Sequence, residues 1–435
     1  MLLSILAALA GTLIAALLAL VPALHVYNVA GLALLLALGY PGVVPPETLA
    51  MFMLGMVVSY AMLNTLPAVF FSAPDESMIF ATLPAQKYLL AGRGFEAILI
   101  TACGSLGGLA VLLLLSPVLG LVFAPVRALV QPHLHWILGI VIVYMIMSEW
   151  PWATPGTPAQ KFVGAWSQLL AGALTFLLSG LLGFVLLYRS PVPLSAAYQN
   201  LLPAFVGFFA IPGALQQLIA GARPPRQHIA ATLDLSPGLV ARGVGAGALG
   251  GLFAAFFPVV TGGIGGFMAG HATAQRDDRL FLVSQGASKF LYYVGAYLFF
   301  FAPGLRLTRG GMASMISTTY TAVTPDSYWL AVACIAFSGA LAFVLLLGLT
   351  RAFVAVAPRL DHRTVAVVTL IILISIVALV TGVGGLAVAV VSTGIGLIPI
   401  FWRTRRMHCL AVLLLPVTLN MAGLGSVVAK WLGLI

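Results

Sequence analysis

From Thr364 to Trp402, and again from Ala97 to Val126, no side chain carries a charge. A helix crosses the hydrocarbon core of a bilayer in about 20 residues, so either run is long enough to cross. The strict alternation of a membrane barrel is missing, and the runs are far longer than barrel strands. Composition agrees: 62% of residues are hydrophobic and 7% charged, against about 25% charged in soluble domains. The chain is expected to be an all-α polytopic membrane protein, multi-pass in the plasma (inner) membrane of a prokaryote. Abundant glycine and proline suit helices that approach closely and helices that break.

Apolar segments fall near 2–21, 29–41, 49–72, 97–125, 135–149, 162–187, 201–220, 239–257, 262–270, 280–302, 327–357, 364–380, 384–402 and 408–432. That makes roughly 10 to 14 hydrophobic segments, depending on which are counted as spans. Segments 29–41 and 262–270 are too short to cross, and each follows a proline, Pro22 or Pro258. Such an arm marks a broken or re-entrant helix, which places polar backbone at mid-membrane depth. The first segment has no basic start. Its apolar run continues past Ala8-Leu9-Ala10 to Val21, so a first transmembrane helix is expected rather than a removed signal.

The two arms belong to a wider internal echo. Gly11 precedes Pro22, and Gly247 precedes Pro258, at the same spacing. FSAPD (71–75) is echoed by FFAPG (300–304), RGFEA (93–97) by RGGMA (309–313), and FAIPG (209–213) by GLIPI (396–400). Their shared order predicts two structural repeats with paired broken or re-entrant helices. The halves would be 1–220 and 239–435, joined by a polar linker at 221–238 that opens GARPPRQH.

The net charge of +10 resides largely in loop arginines. These suit cytoplasmic loops rather than a nucleic-acid surface. Cys103, Cys334 and Cys409 are scattered in apolar runs, neither a disulfide framework nor a metal set. The loop from Glu149 to Lys161 carries two tryptophans and is expected at the headgroup level. No Ser-His-Asp or Cys-His arrangement suggests an enzyme, and no cofactor or metal motif appears.

Charge is concentrated in one stretch. Asp75, Glu76, Lys87, Arg93 and Glu96 lie within 22 positions, directly after the break at Asn64, Pro67 and Pro74. Asp75 and Glu76 have two readings: a solvated turn with Asp75 capping the next helix, or a site for a coupling H⁺ or Na⁺. Adjacent carboxylates near a membrane repel, which favours binding a proton. Lys87 and Arg93 are either interface snorkels or anion ligands. Lys289 stands inside an apolar stretch, where an ammonium is costly unless it is paired or wet. It is read as an anion ligand or as a charge partner of Asp75 or Glu76. Ser284 and Ser288 share its helix face. His25 and Asn28 after Pro22, and Thr261, Gly262 and Gly263 after Pro258, sit where broken helices expose backbone N–H groups to anions. Asn64 and Ser72, at the break itself, complete the candidate substrate ligands.

These motifs resemble one family. VPALHVYN (21–28), FSAPDE (71–76) with LPAQKYLLAGRGFEA (83–97), and GIGLIPIFWRTRRMHC (394–409) are similar to TctA, the large membrane subunit of tripartite tricarboxylate transporters. The closer resemblance is to the archaeal-type, stand-alone TctA-like branch. The family pattern has Pro-Gly in each arm, where this chain has Pro22-Ala23 and Pro258-Val259. The resemblance implies a secondary transporter of two repeats, coupled to an ion gradient. Its substrate would be a small organic anion of the carboxylate or tricarboxylate class, moved by alternating access. A small membrane subunit and a periplasmic binding protein accompany tripartite members but are not expected here. The alternative is a translocase for a polyprenyl-phosphate-type anionic lipid, whose headgroup also needs a basic, re-entrant site. A structural membrane protein would have no use for charges in broken helices.

Overall fold

The computed structural model describes residues 1–435 except 22–23, 41, 72–74, 152–155, 221–224, 322, 357–358 and 360. Pro22, Ala23 and Ser72 therefore lie outside the described residues. Helix is the dominant element, and no strand occurs among the described residues.

The chain packs into two compact units, and each takes chain from both sequence halves. The first unit comprises Met1–Arg127 and Ala220–Ala366, the second Ala128–Ile219 and Val367–Ile435. The first begins with α1 (Leu2–Leu18), α2 (Val26–Gly39), α3 (Pro46–Leu63), α4 (Thr65–Phe70), α5 (Thr82–Leu90), α6 (Gly94–Leu115) and α7 (Leu119–Val130). The chain then builds most of the second unit with α8 (Leu134–Met147), α9 (Pro158–Tyr188), α10 (Leu202–Phe205) and α11 (Ile211–Ala220). It returns to the first with α12 (Pro237–Phe256), α13 (Gly262–Ala272), α14 (Asp278–Phe290), α15 (Ala296–Phe301), α16 (Gly311–Ile316) and α17 (Pro325–Val356). It ends in the second with α18 (His362–Trp402), α19 (Ala411–Met421) and α20 (Gly425–Trp431).

Local chemistry sets the helix starts. Thr157 and Gln160 form a reciprocal capping box ahead of α9, with Pro158 in the first turn. Ser236, Thr261 and Asp277 accept backbone N–H groups at the starts of α12, α13 and α14. Arg279 grips the Asp277 carboxylate as well and holds it below the usual carboxylate range. In α18 the chain kinks at Gly382, whose φ of 65° suits glycine.

Among the described residues, seven helical stretches are long and apolar enough to cross a membrane. An eighth arises if Arg406–Met421 and Gly425–Trp431, bent by 115°, are taken together. Their outer faces are bare of partners within the chain. Leu379 and Val383 on α18 are 86% and 83% exposed, as lipid-facing residues should be. One stretch of the first unit is hidden instead. The stretch Pro46–Phe70 is almost wholly buried, and α6 and α14 touch backbone to backbone. A Cβ at Gly104 would lie 2.0 Å from the Val283 carbonyl oxygen, and one at Gly286 2.0 Å from that of Thr101. Such small-residue contacts are how apolar helices pack where lipid competes for every larger side chain.

A buried polar array at the α3–α4 break

The candidate site lies wholly in the first unit. It starts where α3 ends. Asn64 follows Leu63, and α4 begins at Thr65. This junction puts two polar side chains, 5% and 2% exposed, inside an otherwise apolar segment. Lys289 reaches them from α14. Its Nζ donates to Asn64 Oδ1 and to Thr65 Oγ1, both at 2.6 Å, and the residue is 0% exposed. A buried ammonium costs several kcal/mol unless its donors are taken and a counter-charge is near. Two donors are taken here, and the counter-charge is one residue further on. The same Asn64 amide donates through Nδ2 to Asp75 Oδ2. Lys289 is therefore joined to Asp75 through Asn64.

Asp75 closes a turn with one oxygen and faces the array with the other. Its Oδ1 accepts from the backbone N–H of Ser77 (3.0 Å) and Met78 (3.1 Å) and from the Ser77 hydroxyl (2.6 Å), closing a turn after the break. Its Oδ2 faces the array, where Tyr293 Oη lies 2.9 Å away. Tyr293 Oη also lies 2.9 Å from Glu76 Oε1, and His25 Nε2 is 3.0 Å from the same hydroxyl. His25 Nε2 lies 3.4 Å from Glu76 Oε1. The other ring nitrogen, Nδ1, accepts from the backbone N–H of Tyr27 at 3.1 Å, so the ring proton of neutral His25 sits on Nε2. Tyr27 and Tyr60 flank the imidazole at ring distances of 4.4 and 5.1 Å.

His25, Asp75 and Glu76 each bring one nitrogen or oxygen within 4.8 Å of the other two. The array is nonetheless filled by donors. Four N–H or O–H groups point at the two Asp75 oxygens, so a metal ion there would meet hydrogens before lone pairs.

The second half of the chain wraps the same loop. Thr261 starts α13 by accepting from Ile264 N, and its hydroxyl donates to the Glu76 carbonyl at 3.4 Å. A Cβ at Gly263 would stand 2.5 Å from that carbonyl oxygen, so only glycine lets the arm pass this close. Ser288 donates to the Gly262 carbonyl at 2.8 Å and ties the arm to α14. Entry to α13 is strained. Val259, which stands where the TctA pattern has glycine, has φ 56°, a region that disfavours branched side chains. Val259→Gly is expected to raise the melting temperature of the detergent-solubilised protein. Relief of strain outweighs the added chain entropy by about 1 kcal/mol. A lower melting temperature would show that the valine side chain holds the arm.

The structure thus brings together His25, Asn64, Asp75, Glu76, Thr261, Gly262, Gly263, Ser288 and Lys289. It does not bring in Lys87, which pairs with Asp278 at 2.9 Å with its side chain 68% exposed. Nor does it bring in Arg93, which pairs with Glu96 at 2.7 Å with its side chain 51% exposed. Asn28 makes no side-chain hydrogen bond among the described residues. Ser284 is fully buried, with its hydroxyl unpartnered. The array also holds Tyr293, Thr65 and Ser77, which sequence reasoning missed. Tyr293 lies four residues after Lys289, and a π-turn over Leu291–Gly295 re-aims it. π-Turns inside helices gather at functional sites. Another unflagged residue is Gln285, one turn before Lys289. It is 0% exposed, and neither atom of its amide has a partner.

The second unit carries its own buried pair, also missed. Glu149 Oε1 accepts from His408 Nε2 at 2.9 Å and from the Arg405 backbone N–H at 3.0 Å.

Known proteins agree with this picture at the level of family. The family described as "Tripartite tricarboxylate transporter TctA family" matches residues 5–411. An uncharacterized protein of Methanocaldococcus jannaschii is 24% identical over 337 residues, 76% of each chain. No solved structure matches the chain. The family match takes in both elements that meet at the array, the 64–78 break and the 258–293 arm and helix, and this multi-pass membrane protein belongs to the TctA family of tripartite tricarboxylate transporters.

Proposed function

We propose that the protein is an ion-coupled secondary transporter of a small organic anion of the carboxylate or tricarboxylate class, working by alternating access. One observation carries the reading: a fully buried lysine joined, through one asparagine, to a pair of adjacent carboxylates at a helix break. The lysine offers the positive charge an anion needs. The carboxylates offer a place for a coupling H⁺ or Na⁺. Lys289 is 0% exposed, so an anion reaches it only after helices part, which is what alternating access requires.

Gln285 supports the anion. A buried amide with no partner costs about 1–3 kcal/mol, and it faces the α13 arm at Gly266. Its partner comes with the substrate, in a state that is open at α13. Gln285→Met is close in volume and removes the unsatisfied atoms, so it is expected to stabilise the closed protein by about 1–3 kcal/mol. The same variant should lose most of its uptake. Stabilisation with full uptake would show the amide to be no ligand.

The order of the compact units supports a duplicated architecture, because halves 1–220 and 239–435 each give one stretch to the first unit and then one to the second. The protein is proposed to sit in the plasma membrane of a prokaryote and to work without a small membrane subunit or a binding protein. The test is uptake of labelled citrate and other di- and tricarboxylates into proteoliposomes holding this chain alone, under imposed pH or Na⁺ gradients. Gradient-dependent uptake, lost in Asp75→Asn, is the expected result. Uptake of no carboxylate, with binding only of a polyprenyl phosphate, would overturn it.

A further inference from the structure

The array contains one hydrogen bond more than its ordinary protons can make. Two oxygen–oxygen contacts of 2.9 Å leave Tyr293 Oη, one to Asp75 Oδ2 and one to Glu76 Oε1. Each contact needs a hydrogen, since oxygen lone pairs alone repel at that distance. Tyr293 supplies one hydrogen. The Nε2–H of His25 points at the tyrosine oxygen or at Glu76 and cannot lie between Tyr293 and Asp75. The second contact therefore closes when one carboxyl carries a proton and donates it to the tyrosine oxygen.

Charge counting agrees independently. Lys289 contributes +1 and the two ionised carboxylates −2, so with neutral His25 the buried set stands at −1. One further proton brings it to zero, and the two Tyr293 contacts put that proton on a carboxyl. The remaining titratable groups that face the set are Tyr27, Tyr60 and Tyr292, all neutral phenols. No other charged side chain faces it among the described residues.

We propose that Asp75, Tyr293, Glu76 and His25 form a carrier for a single exchangeable proton, that this proton is the coupling ion, and that the closed structure holds it. The proposal rests on the transport reading above and names its ion. Donors saturate Asp75 Oδ1 and Oδ2, so Na⁺ would have to turn several of them away, whereas a proton fits the existing geometry. Proton transfer along the array is balanced at each step. A carboxyl O–H breaks as the tyrosine oxygen takes the proton, and the tyrosine O–H passes to the other carboxylate. The exit lies on the side of His25 and Asp75, which are half-buried, whereas Glu76 is buried. Loss of the proton leaves a net negative charge in a set whose groups are buried or half-buried. That charge penalises the closed state and so ties closure to proton binding.

The test is infrared difference spectroscopy of the full chain in liposomes as pH is stepped, first without Na⁺ and then with it. A protonated-carboxyl band should vanish as pH rises, whether or not Na⁺ is present. It should be absent in Glu76→Gln or in Asp75→Asn. Tyr293→Phe keeps both carboxyls but unlinks them, and should shift the titration. Lys289→Met removes the fixed positive charge, so the band should persist to higher pH by about one unit or more. A band displaced by Na⁺ would make the site a Na⁺ site and overturn the proposal. The absence of any titrating carboxyl in folded protein would also overturn it. The spectra need no substrate. A titrating band with no carboxylate uptake therefore overturns the transport reading alone, and Na⁺-driven uptake with no band overturns this inference alone.

Discussion

Lys289→Met should reduce carboxylate uptake to the level of empty liposomes and lower the stability of the folded protein by about 3–5 kcal/mol, the usual result of removing one partner from a buried charge set. Two causes act together. Asp75 and Glu76 are left in an apolar shell with no fixed counter-charge. Asn64 also loses the donor that orients its amide, because its Oδ1 faces Lys289 and its Nδ2 faces Asp75. Arginine should not rescue the loss. The lysine lies in a space with 0% exposure, and a planar guanidinium is larger than the ammonium whose two contacts of 2.6 Å it would replace. The double variant Lys289→Met with Asp75→Asn removes one charge of each sign. It should recover most of the stability, since apolar replacement of a buried ion pair is often neutral, yet remain inactive in uptake. Melting curves and uptake on the same preparations separate the two effects. Wild-type uptake by Lys289→Met would remove the lysine from the transport site.

The sequence made the helices legible to the extent that charge and proline bound them. The expected segments 239–257, 327–357 and 162–187 became α12, α17 and α9 within a few residues. The expected gap between 364–380 and 384–402 is the kink at Gly382. The short segments after Pro22 and Pro258 are the short helices α2 and α13. At the site, the residues found were those whose presence in apolar chain is costly: Lys289, Asp75, Glu76 and Asn64. Tyr293 was illegible because a tyrosine in a hydrophobic helix is ordinary, and only the π-turn aims its hydroxyl at two carboxylates. Gln285 escaped because an uncharged amide gives no warning of burial without a partner. Lys87 and Arg93 shared the dense segment with Asp75, but α5 and the following turn carry them to exposed ion pairs. Charge density along the chain could not distinguish a site from its surface neighbours.

Glu149 tests the other unit. It lies at the end of a stretch expected as an interfacial connector, yet it is 6% exposed, and His408 is 0% exposed. Its Oε1 takes His408 Nε2 and the Arg405 backbone N–H, and lies 3.5 Å from the Arg405 guanidinium. The sequence separation explains why no spacing rule linked them. Gly172 closes over the pair, since a Cβ there would meet His408 Nε2 at 3.0 Å and Glu149 Cγ at 3.1 Å. Glu149→Ala should therefore cost about 3–5 kcal/mol, because it removes the carboxylate that a buried imidazole and the Arg405 backbone N–H both reach. Glu149→Gln keeps the accepting oxygen and should cost about 1–2 kcal/mol less, retaining a neutral hydrogen bond in place of a charge-assisted one. Neither variant touches the proton array. Uptake per folded molecule should stay near that of the wild type, in contrast to every Lys289 variant, and the carboxyl band should titrate as in the wild type in both. Melting temperature measured beside uptake decides the matter. A Glu149→Gln protein that melts like the wild type but carries no substrate would place the Glu149–His408 pair on an ion path of its own.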